Sequence, residues 1–101
     1  MKLGDVANTI RSKNAGVNHI TFDIIFKDQE EYKRIKENCL ITEETILSLY
    51  HLPKERLTFF GYFDPAKAVK FTIRRRVPSG SPGDSDTFGC QQYPPLFDLE
   101  V

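Results

Sequence analysis

Two polar segments hold most of the side chains that could do chemistry. The first is Arg11-Ser12-Lys13-Asn14-Ala15-Gly16. Arg11 can give a carboxylate or phosphate two parallel hydrogen bonds. Ser12, Lys13 and Asn14 add a hydroxyl, a second cation and an amide, and Gly16 closes the segment. The same residues also suit a solvated helix end, where cations offset the dipole.

The second is Ser79-Gly80-Ser81-Pro82-Gly83-Asp84-Ser85-Asp86. It has neither the G-x-x-x-x-G-K-[ST] nor the G-x-G-x-x-G spacing, so it is not a nucleotide-phosphate loop. Ser81, Gly83 and Asp84 can shape a pocket, and Asp84 and Asp86 stand two apart. Hard cations want more oxygens than these two carboxylates supply. With no C-x-x-C or H-E-x-x-H pattern either, no metal site and no cofactor are expected. An equal reading is a surface loop whose Asp and Ser side chains close their own turns. Gln91 and Gln92 follow, neutral amides that suit either a small polar ligand or buried backbone groups. The acid–base candidates are Asp84, Asp86 and His19. Arg74-Arg75-Arg76 reads as a strand end with alternating faces rather than a basic patch. His51 reads as a partner of a helix dipole.

The bulk composition narrows the setting. The 101 residues make one domain, 1–101. Lys plus Arg equals Asp plus Glu at 14 each, so the chain lacks the basic field of a nucleic-acid binder. Near-zero net charge favours association and is compatible with a homo-oligomer. Cys39 and Cys90 are too few for a disulfide framework. Cys39 falls on the buried side of its helix by phase, and Cys90 lies in the long loop. No secretory h-region and no apolar run of membrane-spanning length are visible. A cytoplasmic location without a membrane partner is the expectation.

These segments need elements to position them. Leu3, Val6, Ala7 and Ile10 fall at helical spacing, which predicts a helix from Lys2 ending within the first polar segment. His19 to Phe26 alternates as a strand, with Ile20, Phe22, Ile24 and Phe26 on one face. Its polar face carries Thr21 and Asp23, either solvated or turned to a site. Asp28 with Glu31 resembles a capping box for a helix reaching about Asn38. Tyr32 and Ile35 mark its buried side. Thr42 caps a third helix with Ile46, Leu49 and Tyr50 inside, and Pro53 ends it. Leu57–Phe63 and Lys67–Arg75 predict a hairpin about Asp64-Pro65. After the long connection, Leu96–Val101 alternates as a last strand. The sum is an α+β two-layer sandwich: a roughly four-stranded antiparallel or mixed sheet with three helices.

Six segments carry a resemblance: R-S-K-N-A-G at 11–16, T-F-D-I-I-F at 21–26, F-D-P-A-K-A at 63–68, S-G-S-P-G-D-S-D at 79–86, G-C-Q-Q at 89–92 and L-F-D-L-E-V at 96–101. Together they resemble a family of small domains of unknown function, catalogue number 4387, over nearly the whole chain. That family is similar to the terminal small domain of AtuA-type proteins, named for acyclic terpene utilisation, and is associated with them. The resemblance implies a ferredoxin-like or related fold and a setting in carboxylic-acid catabolism. It brings no catalytic residues with it.

Three functional expectations follow. The first is an accessory subunit that docks on an AtuA-type protein and completes a site for a small organic acid. Arg11, Ser12, Lys13 and Asn14 would hold the carboxylate, Ser81, Gly83 and Asp84 would shape the pocket, and Gln91 and Gln92 would lie opposite. The second is a stand-alone hydratase or lyase using Asp84, Asp86 or His19. The third is a non-catalytic homo-oligomeric interaction module. The first requires segments 11–16 and 79–86 to lie side by side.

Overall fold

The strongest alternating segment, His19–Phe26 (β2), sits inside the sheet of a computed structural model that describes residues 1–76, 78–82, 86, 89 and 92–101. A short helix, Leu3–Val6 (α1), leads into strand Ala7–Asn14 (β1). Helices Gln29–Glu37 (α2) and Glu43–Tyr50 (α3) follow β2. Strands Leu57–Phe63 (β3) and Ala68–Arg74 (β4) then form the second hairpin. The sheet runs β1-β2-β4-β3 and is antiparallel throughout. A hairpin, two helices and a second hairpin is an order distinct from βαββαβ.

The register sorts the side chains into two unlike faces, because successive strand residues point opposite ways. On the inner face, Ile10, Ile24, Val69 and Tyr62 form one row across the four strands, and Ser12, Phe22, Phe71 and Phe60 form the next. Both helices cover this face. Phe22 stacks on Phe71 with ring centroids 4.4 Å apart, and Tyr50 of α3 tilts against both rings. Tyr32 of α2 meets Phe26 and Tyr62. Leu3, Phe22, Ile35, Ile46, Phe71 and Leu96 are completely buried. Each such side chain contributes roughly 1.5–3 kcal/mol by leaving water.

Three sequence expectations need correction. The helix expected from Lys2 stops at Val6, and Ala7–Asn14 is a strand. Pairing along β2 satisfies its backbone and outweighs a helical apolar stripe only four residues long. The last segment is not a strand. Pro94–Asp98 forms a 3-10 helix, and only an isolated bridge joins Lys2 to Glu100. Two prolines at its start remove ladder donors and preset a turn. Cys39 is exposed, because the chain turns left-handed there, at φ +51°, just past the end of α2.

The helix caps divide. Thr42 accepts from the Thr45 amide while Thr45 bonds back to the Thr42 amide, a reciprocal box. Asp28 holds the N-cap position of α2 without a side-chain bond. Glu31 turns to Arg34 instead, at 2.9 Å.

Candidate functional site

The strand geometry of β1 splits the first polar segment in two. Arg11 and Lys13 project from the outer face, which no α-helix among the described residues covers. Ser12 and Asn14 project from the inner face. A continuous Arg-Ser-Lys-Asn clamp therefore does not form. Two separate constellations take its place.

The inner one binds the polar tract to the sheet. Asn14 Nδ2 donates to Ser79 Oγ at 3.1 Å, and Arg75 donates to Asn14 Oδ1 at 2.5 Å. Arg75 also donates to the Asp86 carbonyl at 2.6 Å. Gln92 gives its amide N–H to Ser12 Oγ at 3.2 Å and its side-chain N–H to Asp86 Oδ2 at 3.2 Å. Tyr50 donates to the Gln92 carbonyl at 2.8 Å. Ser12 and Asp86 are buried. Backbone bonds from Ser79 to Val17 and from Arg75 to Asn18 fasten the start of the tract to the first hairpin. The described residues of segments 11–16 and 79–86 thus lie side by side. Arg75 is the hub, and its reading as one of three strand-end charges misses that role.

The remaining candidates are placed as follows. Ser81 donates to the Pro78 carbonyl and closes its own turn. Gly16 is exposed at the hairpin tip, at φ +80°. His19 opens β2 opposite Arg74, on the outer face. Gly83, Asp84, Gln91 and Cys90 lie outside the described residues. Among the described residues no group of three or more His, Cys, Asp or Glu side chains is set to hold a metal. No helix among them is long and apolar enough to cross a membrane.

The outer constellation is a groove. Arg11, Asp23, Lys70 and Gly61 form one cross-strand row, flanked by the rows Lys13–Thr21–Thr72–Phe59 and Thr9–Ile25–Ala68–Phe63. A cavity of about 220 Å³ opens among Arg11, Lys13, Asp23, Phe63 and Lys70. Asp23 is 6 % exposed although it stands on the open face. The stems of longer neighbours cover it, as aliphatic arms do when their charged heads reach water. Arg11 Nε donates to Asp23 Oδ2 at 3.1 Å, and Lys70 Nζ is 3.9 Å from Oδ1. Arg11 engages Asp23 through Nε. Its two terminal nitrogens therefore remain a fork for a planar anion. Arg11, Lys13 and Lys70 against Asp23 leave an excess of two positive charges. Lys70 and Phe63 come from the second hairpin and Asp23 from β2. Cross-strand alternation pairing Asp23 with a cation is the signal that could have found them.

A third polar cluster joins α2 to the turn after β3. Tyr32 donates to Asp64 Oδ1 at 2.5 Å, and Lys36 Nζ donates to the same oxygen at 2.7 Å. These bonds, that from Lys36 foremost, hold the Asp64 carboxyl below the usual carboxylate range. Burial of the ring, then the Asp64 carboxylate, pushes the Tyr32 hydroxyl up. This cluster ties elements together and faces no cavity named above.

Comparison with known proteins gives one family and no closer relative. Neither the curated proteins nor the solved structures contain a match to this chain. One family model, described as a domain of unknown function, DUF4387, matches residues 3–100. That span takes in both hairpins, the two long helices and every described residue of the two constellations, and the chain belongs to the DUF4387 family.

Proposed function

We propose that this domain is an accessory subunit that completes a site for a small organic acid on a larger partner. The observation that carries the reading is the groove on the uncovered sheet face. Three cations stand there around one buried carboxylate, beside an exposed aromatic, Phe63. Excess positive charge next to apolar surface suits a carboxylate with a short hydrocarbon body. At about 220 Å³ the groove is smaller than drug-sized pockets, which start near 300 Å³, so the acid has few carbons. A second protein laid over the sheet would close the groove and strengthen every charge interaction inside. The resemblance to the terminal domain of AtuA-type proteins supplies the partner and a setting in carboxylic-acid catabolism, and the lack of a disulfide framework suits a cytoplasmic location. Arg11 and Lys13 hold the carboxylate. Ser12, Asn14, Asp86 and Gln92 position β1 from behind through the inner network.

Co-purification of the tagged domain with an AtuA-type protein tests this, run with and without a short dicarboxylate. The expected result is a complex that the acid strengthens and that Arg11→Gln with Lys70→Gln weakens. Absence of any complex in either condition would end the accessory reading.

A further inference from the structure

The edge strand β3 reads Leu57-Thr58-Phe59-Phe60-Gly61-Tyr62-Phe63 and contains no charged residue and no proline. Natural edge strands are usually guarded by one or the other, because their outer backbone groups invite another strand. β3 has only a register shift between Leu57 and Phe59; from Phe59 to Phe63 its ladder with β4 is regular. Among the described residues no backbone bond from another segment reaches its outer side. The opposite edge, β1, differs. It carries Arg11 and Lys13, and Gly89 packs onto its backbone at Lys13 and Asn14.

The β3 sequence is a near palindrome about Gly61: two aromatics, glycine, two aromatics. Antiparallel pairing of such a segment with itself is symmetric, as a two-fold interface requires. With Gly61 on the axis, Phe59 of each copy stands opposite Phe63 of the other, and Phe60 opposite Tyr62. Phe59 and Phe63 share the outer face and are 49 % and 56 % exposed. Paired across the strands they would cover one another, and aromatic cross-strand pairs are among the favourable ones. The chain's zero net charge sets no long-range repulsion against a second copy.

We propose that two copies of this chain join through β3, antiparallel about Gly61, so that the two four-stranded sheets become one. The proposal shares Phe63 with the acid groove but needs neither acid nor partner protein. Sedimentation equilibrium of the isolated chain, from micromolar to millimolar concentration, is the test. A reversible dimer is expected, with Phe59→Lys weakening it at least about tenfold. Circular dichroism checks that the variant is folded. Amide exchange of the unaltered chain gives a second measure. Alternate β3 amides should gain protection as concentration rises, while β1 amides do not. A strict monomer at millimolar concentration would overturn the proposal. So would a dimer whose formation leaves β3 exchange unchanged.

Discussion

Asn14 donates a 3.1 Å hydrogen bond to Ser79, joining the end of β1 to the first residue of the polar tract. Arg75 reinforces the join from β4's end by donating to Asn14 and to the Asp86 carbonyl. The tract is therefore anchored to the sheet at the described positions, and the open groove lies behind it, through the thickness of one strand.

Close packing at this join makes Gly89 sensitive. A Cβ there would stand 2.7 Å from Asn14 Oδ1 and 2.9 Å from the Asn14 nitrogen, at a φ of +70°. Gly89→Ala should destabilise the fold by about 2–5 kcal/mol through strain and the clash together. Gly80→Ala is the control: φ is similar at +79°, yet among the described residues nothing lies within 4 Å of its Cβ position. It should lose only about 1–2 kcal/mol, the cost of the left-handed backbone alone. Urea denaturation of both variants reads the difference.

Asp23 offers a second contrast. Its carboxylate is buried, while the side chains of Arg11 and Lys70 are about half exposed. Removing the buried member leaves two neighbouring cations without their anion. Water solvates both half-exposed cations, so Asp23→Ala should cost less than about 1 kcal/mol. Arg11→Gln should cost more, about 1–3 kcal/mol, because it takes the charged donor from the buried Asp23 carboxylate and leaves it Lys70 at 3.9 Å. If the groove holds an acid, Asp23→Asn also raises its positive charge and tightens acid binding. Calorimetric titration with a short dicarboxylate checks the direction.

The Tyr32–Asp64–Lys36 cluster sets a pH response at both ends of the scale. Asp64 titrates below its ordinary value when folded. Its contribution is present above the unfolded pKa and is lost as pH falls below about 4. Asp64→Asn should flatten that acid limb. Tyr32, Tyr50 and Tyr62 titrate above their ordinary value, chiefly because they are buried. The unfolded chain therefore gives up phenolic protons first. Stability should fall as pH rises past about 10. Thermal melts across pH, with phenolate absorbance followed in parallel, measure both limbs.

Most of the architecture could be read from residue patterns. β2 was legible from its strict alternation, and α3 from Thr42 and its apolar stripe. The second hairpin was legible from Asp64-Pro65. β1 was not, for a physical reason. Its inner face carries Ser12 and Asn14, which serve the tract instead of the core, so the alternation of Ile10 was not sustained. The clue was Thr9, Arg11 and Lys13 at period two, followed by Gly16 at a hairpin tip. Leu96–Val101 misled in the opposite direction. Phe97 and Leu99 alternate with acids, but Leu96 is the side chain buried among α1 and α3, and the prolines ahead of it set a turn. The partnership of segments 11–16 and 79–86 was legible as proximity. That only half of the first segment faces the second depends on strand phase, which a helical reading cannot supply.

Because β1 is a wall between two compartments, its residues sort by parity. Past the register shift at Ala7–Thr9, the odd positions Arg11 and Lys13 set the charge of the groove, and the even positions Ser12 and Asn14 hold the loop. Substitutions can therefore retune one compartment while leaving the other as it was. A single inserted or deleted residue cannot. It would carry Arg11 and Lys13 into the neutral inner network and expose Ser12 and Asn14 on the open face, dismantling both at once.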